Sequence, residues 1–317
     1  MPTPIAGIHH VTAIARDPQR NVDFYVRVLG LRLVKKTVNF DDPGTYHLYY
    51  GDEVGRPGTI LTFFPWPFAA QGSRGVGQVT VTAFSVPEGS LGFWKARLEA
   101  SGVAVEETGR RLEEEVLTLL DPDGLKLELV AHPGADARPP WRGGGVPAEH
   151  AIRGVYAVTL SEQGYESTAA LLTGVMGFEL TAEDGNRFRF DAAEGGAGAR
   201  VDILCVPDAP PGRIAAGSVH HVAFRVPDES SQIEWRDRLR ASRLDVTPVL
   251  DRQYFKSIYF REPGGVLFEI ATDPPGFTRD EPVSSLGTRL ELPPWLEPHR
   301  EKIEAILPPI EVRGATS

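Results

Sequence analysis

His10, His221 and Glu269 are the residues of this 317-residue chain whose types suit chemistry best. Two imidazoles and one carboxylate make the facial triad of an open non-haem iron(II) centre, in which the remaining coordination positions stay free for reactants. A lone strand histidine is usually a hydrogen-bonded core or surface group, so residue type alone does not single these three out. Their places in an internal repeat do.

The repeat is read directly. Gly7-Ile8-His9-His10-Val11-Thr12 matches Gly154-Val155-Tyr156-Ala157-Val158-Thr159, and Val28-Leu29-Gly30-Leu31-Arg32-Leu33 matches Val175-Met176-Gly177-Phe178-Glu179-Leu180, both at an offset of 147. Gly77-Gln78-Val79-Thr80-Val81 matches Gly217-Ser218-Val219-His220-His221 at 140, and Asp121-Pro122-Asp123-Gly124 matches Glu262-Pro263-Gly264-Gly265 at 141. A period this long marks a domain duplication rather than a solenoid.

Each unit opens with an apolar strand, continues as an amphipathic helix and ends in three strands. Val22, Tyr25 and Leu29 share one helix face, as do Leu91, Trp94 and Leu98. Asp123-Gly124 and Gly264-Gly265 are hairpin turn signals. The chain is therefore an α+β protein of four βαβββ modules near residues 5–70, 75–133, 150–207 and 215–273. Modules 1 and 2 are expected to form one half (1–135) and modules 3 and 4 the other (150–275). The stretch from Pro133 to Pro147, rich in Pro, Gly and Arg, reads as a linker, and 276–317 as a Pro-rich tail with a short helix through Leu307. The tail either packs over a module or contacts another copy of the chain in a homo-oligomer.

Matched positions then show an asymmetry. The second residue of the module-opening pair is His10, Val81, Ala157 and His221 in turn, and the last-strand carboxylate is Glu128 in module 2 and Glu269 in module 4. Exchanging the halves maps His10, His221 and Glu269 onto Ala157, Val81 and Glu128. One set can hold a metal and its mirror image cannot. Glu269 lies within the apolar run Val266-Leu267-Phe268-Glu269-Ile270. A carboxylate there is costly to bury unpaired, and a cation removes the penalty.

A net charge of −10 argues against nucleic acid as a partner. No apolar run approaches membrane-spanning length, and Met1-Pro2-Thr3-Pro4 opens no basic or apolar leader, so no membrane and a cytoplasmic location are expected. The single cysteine, Cys205, excludes an internal disulfide framework and reads as strand packing. Gly143-Gly144-Gly145 follows no strand, so it is not a phosphate cradle.

With strand-borne His, His and Glu on paired βαβββ modules, the chain resembles the vicinal oxygen chelate superfamily of glyoxalases and extradiol dioxygenases. Within it, the chain is most similar to ring-cleaving hydroquinone dioxygenases. The matching stretches are Gly7–Thr12, Tyr46-His47-Leu48-Tyr49-Tyr50-Gly51-Asp52-Glu53, Gly55-Arg56-Pro57-Gly58-Thr59, His220–Phe224, Pro263–Glu269 and Gly276-Phe277-Thr278 with Asp280-Glu281. The resemblance spans nearly the whole chain. It implies two tandem glyoxalase-like halves with incomplete mixed β-barrels, and a metal held by His10 of module 1 with His221 and Glu269 of module 4. It implies an aromatic substrate with dioxygen. The ligand set itself suits iron(II), with manganese(II) or another divalent ion as alternatives. Common catechol-cleaving relatives take all three ligands from their second half, an arrangement Ala157 rules out.

The same likeness places Arg252 and Tyr259 around the substrate, as a phenolate partner and a proton donor. Thr12 shares the face of His10. His9 and His220 precede the ligands and would face away from them in an ideal strand. They are either hydrogen-bonded within the sheet or supports of the metal ligands. His47, His132, His150 and His299 have no repeat partner and are expected to be structural or exposed. Phe63–Phe68 reads as core or pocket wall. Three rivals remain. A glyoxalase-like isomerase would take a fourth ligand from Gly58–Phe64, which has no carboxylate. A thiol transferase uses three ligands, usually in a short paired-chain protein. A metal-free binding protein is opposed by the triad itself.

Overall fold

All eight residues of Ile8–Ala15 are buried, which places this strand inside a sheet rather than at its edge. In the computed structural model, which describes residues 3–106 and 108–312, it is β1. It pairs antiparallel with β13 (Ser218–Val226) and parallel with β4 (Ile60–Pro65). Module 1 adds β2 (Arg32–Asn39) and β3 (Asp42–Gly51), and module 2 comprises β5 (Gln78–Val86), β6 (Gly109–Arg111), β7 (Glu114–Leu120) and β8 (Lys126–Ala131). Module 3 supplies β9 (Val155–Glu162), β10 (Glu179–Asp184), β11 (Arg187–Asp191) and β12 (Arg200–Cys205). Module 4 adds β14 (Leu250–Asp251), β15 (Lys256–Arg261) and β16 (Leu267–Thr272) to β13.

Two curled, mixed, eight-stranded sheets result, ordered β14-β15-β16-β13-β1-β4-β3-β2 and β10-β11-β12-β9-β5-β8-β7-β6. The halves are tandem in sequence, yet each sheet takes one module from each. Modules 1 and 4 share the first sheet and modules 2 and 3 the second, rather than each half building its own. The joints are the opening strands: β1 with β13, and β5 with β9, both antiparallel. This exchange brings His10 to His221.

The helices bury the faces their periodicity predicts. Asp17 caps α1 (Pro18–Val22) by accepting from the Gln19 and Arg20 amides. The α-helix then gives way to a π-helical stretch, Asp23–Val28, in which the Leu29 amide reaches Phe24 O at 3.0 Å. The wider turn accommodates an extra residue while Val22, Tyr25 and Leu29 all stay buried. Module 3 repeats this, with α3 (Glu166–Leu171) followed by a π-helical Leu172–Met176. In α2 (Leu91–Ala100) and α4 (Glu229–Ala241), Trp94 and Trp235 anchor the buried faces.

The linker is packed. Arg138 donates to Gly58 O, Val155 O and Ala197 O, and Gly144 lies so close to Gly30 that a Cβ would stand 2.0 Å from its carbonyl oxygen. The tail packs over module 1. Tyr46 OH donates to Pro308 O at 2.9 Å beside α5 (Arg300–Ile306), Leu290 bridges to Lys36, and the wholly buried Lys35 ammonium pairs with Asp280 at 2.6 Å and with Glu281. Beneath the candidate site, Tyr49, Ala223, Tyr254, Phe255 and Phe277 form a small apolar cluster of their own.

Candidate metal centre

Two β-bulges build the site. Along β1 and β13, Ile8 and His10 oppose Phe224 and Ala223, which makes His9 the extra residue. Thr12 and Ala13 oppose His221 and Val219, which makes His220 extra on the other strand. A bulge sets two residues against one and re-aims their side chains. His9 and His220 therefore do not face away from the ligands, as ideal alternation predicts. His9 Nδ1 lies 2.9 Å from His10 Nδ1, and His220 Nδ1 lies 2.7 Å from His221 Nδ1.

Those contacts occupy both Nδ1 atoms and leave both Nε2 atoms facing inward, 3.3 Å apart. Glu269, opposite Ala223 and Tyr259 in register, completes the group. Its Oε2 lies 2.9 Å from His221 Nε2 and 3.4 Å from His10 Nε2. Cis ligands about 2.1 Å from an octahedral ion stand about 3 Å apart, so this triangle has the size of one face. All three side chains are buried. Ser257 donates to Glu269 Oε1, whereas Oε2 is buried without a hydrogen-bond donor. A cation at the triangle would satisfy that orphaned oxygen, so the residues present fit a divalent metal.

The protonation states agree. Burial alone would raise the Glu269 carboxyl, but His10 and His221 hold it well below the usual carboxylate range. Burial pulls His221 and His9 down, and burial with His221 beside it brings His220 to about 3. Neutral imidazoles and an ionised carboxylate are the forms that bind metal.

The triad opens into a cavity of about 420 Å³. Tyr259 lines it, its hydroxyl pushed up by burial and by Glu269. Arg252 lines it too, between β14 and β15, with Nε 3.3 Å from Tyr259 OH and Nη1 2.9 Å from Asp41. Phe40, Phe64, Trp66, Phe255 and Leu267 supply apolar wall. Of the aromatic run, Phe63 is core, Phe64 and Trp66 face the cavity and Phe68 is fully exposed. His47, expected to be structural or exposed, also lies on the wall. Its Nδ1 is 2.7 Å from Tyr49 OH and its Nε2 2.8 Å from Thr62 Oγ1, which donates to Thr12 Oγ1 at 3.0 Å. Thr12 thus belongs to a hydrogen-bonded chain from cavity wall to ligand strand. His47 and Asp41 lack matched repeat partners, which is why the repeat comparison passes over them.

The mirror position is filled differently. β5 and β9 carry the same two bulges, with Thr80 and Tyr156 as the extra residues. Around Ala157 and Val81 there is no metal-capable group of three among the described residues. Glu128 is paired with Arg111, and Asp202 with Arg187 at 3.0 Å and Arg189 at 2.8 Å. Guanidinium groups supply the positive charge there.

The family model described as "Glyoxalase/Bleomycin resistance protein/Dioxygenase superfamily" matches residues 7–129 and 157–270. The chain belongs to this superfamily. Among its members, a Bacillus subtilis (strain 168) protein named "Putative ring-cleaving dioxygenase MhqO" is 48% identical over 307 residues, covering 97% of each chain. The Sphingobium indicum "Chlorohydroquinone/hydroquinone 1,2-dioxygenase" is 35% identical over 311 residues, covering 96% of each. A crystal structure of a "putative dioxygenase" from Bacillus subtilis superposes with a TM-score of 0.92 at 47% identity, covering 98% of this chain and 99% of that one. Members of the superfamily depend on metals, and no helix of this one is long and apolar enough to cross a membrane among the described residues.

Proposed function

We propose that the protein is an iron(II)-dependent dioxygenase that opens the ring of a hydroquinone between a hydroxyl-bearing carbon and its neighbour. The observation that carries this is a buried three-ligand face opening onto an aromatic-walled cavity. Position 62 of β4, aligned in register with Thr12, holds a threonine where a fourth, isomerase-like carboxylate ligand would be needed. The names of the two relatives point the same way.

His10, His221 and Glu269 would hold the metal, and when bound it supplies the electron transfer between ring and dioxygen. Everything else falls to side chains. A para-diol offers the metal one oxygen, because its second hydroxyl lies across the ring, so the protein must fix the ring's orientation. The aromatic walls sandwich the ring and exclude water. Arg252 spends two of its five N–H donors on Tyr259 and Asp41 and keeps others for a substrate oxygen. Tyr259, kept protonated by burial, holds a proton at its hydroxyl for the opening ring.

The test is anaerobic reconstitution with iron(II), then oxygen uptake with substituted hydroquinones and catechols. Hydroquinones should react faster, with one equivalent of oxygen consumed per ring opened. Ready turnover of catechols with no hydroquinone consumed would overturn the substrate assignment. No oxygen uptake with either would favour the non-oxidative members of the superfamily.

A further inference from the structure

We infer that Asp41 is a positioning residue: it latches the two edges of the metal-bearing sheet together over the cavity and so aims Arg252. β2 and β14 are opposite edge strands of that sheet. Asp41 sits in the turn between β2 and β3, and Arg252 in the turn between β14 and β15. The sheet curls until these turns meet at one ion pair, Arg252 Nη1 to Asp41 Oδ2 at 2.9 Å. Asn39 at the end of β2, Phe40 and Asp41 in the turn after it, and Arg252 and Phe255 from the other turn all line the cavity, so the pair spans its mouth.

The two partners are unequal. The Asp41 side chain is 72% exposed and that of Arg252 only 19%. An ion pair with one end in water is weak and screened by salt, which suits a contact that must open for each substrate. Among the described residues, the other partner of the Arg252 guanidinium is Tyr259, whose hydroxyl lies 3.3 Å from Nε and whose ring lies 5.5 Å from Cζ. Both of these contacts are with one side chain, so without Asp41 the far Nη end of the fork loses its anchor, and a fork free at that end orients a substrate oxygen poorly.

The turns themselves are braced from behind. On the Arg252 side, the Gly276 amide donates to Tyr254 O at 2.9 Å, Arg279 donates to Gln253 O at 2.9 Å, and Tyr254 OH donates to Asp280 at 2.9 Å. On the Asp41 side, Trp295 packs edge-on against Phe40 at 5.6 Å. The turns are held and the latch between them is light, so movement concentrates at the ion pair.

The orienting role rests on the function proposed above; the latch itself does not. In the metal-loaded protein, Asp41→Asn should speed metal loss to a chelator about threefold and abolish the acceleration by salt expected of the wild type. Hydrogen exchange should rise at the amides of residues 40–42 and 252–255 with metal present or absent. With hydroquinone, KM should rise about tenfold and kcat stay within about twofold, and Asp41→Glu should recover most of both losses. Exchange and chelator access read the latch even in a protein that consumes no oxygen. Wild-type exchange and chelator kinetics in Asp41→Asn would overturn the latch. An accelerated metal loss with KM unchanged would overturn the orienting role.

Discussion

Replacing His220 with alanine should weaken metal affinity about 10–100-fold without emptying the site, because the residue holds a ligand rather than the ion. Replacing His221 itself should abolish stoichiometric metal while the fold persists. Both outcomes are read by metal analysis after gel filtration, and full metal in His221→Ala would refute the assignment. Tyr259→Phe removes only a hydroxyl, so it should lower kcat about 100-fold with metal content unchanged; parallel loss of metal would make Tyr259 structural. His10, His221 and Glu269 could be picked out together in the sequence because repeat arithmetic compares positions and needs no coordinates. The contact between His9 and His10 could not, since one bulge reverses the facing that strict alternation gives. His47 and Asp41 escaped for other reasons: His47 has no repeat partner, although its own partners, Tyr49 and Thr62, lie on its strand and the adjacent one, and Asp41 meets Arg252 from the opposite edge of the sheet.

At the scale of elements, one contact between modules 3 and 4 should respond to pH. Glu162 on β9 and Glu262 in the β15–β16 turn are both buried, and Thr168 Oγ1 lies 2.8 Å from one and 2.6 Å from the other. Glu262 already accepts the Gly264 and Val266 amides, each at 2.7 Å. The hydroxyl has one proton to give, so one carboxyl must bring the other: a protonated Glu162 donates to Thr168, which donates to Glu262. Burial, reinforced by Glu262, lifts the Glu162 carboxyl from 4.5 to about 8. The folded state then binds more protons than the unfolded one between these values, so stability falls as pH rises from about 4.5 to about 8 and levels off above. Glu162→Gln keeps the neutral form. It should raise the melting temperature at pH 8.5 by a few degrees and flatten its decline from pH 5 to 8, as followed by calorimetry. A variant that retains the wild-type pH slope would show the slope arises elsewhere. Periodicity and turns give the βαβββ order of each module. They do not give the partner of each module, because an apolar strand buried on both faces fits either sheet.

At the scale of the whole molecule, the mirror half tests what asymmetry means. Installing Val81→His and Ala157→His recreates the two imidazoles, yet Glu128 remains engaged by Arg111. The double variant should still bind one metal per chain, and a second only once Arg111→Ala is added. Two metals in the double variant alone would show that the guanidinium is no obstacle. The exchange of modules between sheets has a consequence in time as well. His10 and His221 are 211 positions apart, and Glu269 comes later still. A chain emerging from the ribosome exposes β1 long before β13 and β16 exist to pair with it, and such distant pairing forms slowly. On the proposed reading of the triad, metal capture would be a closing event of biosynthesis, and a prematurely terminated chain would lack the assembled site.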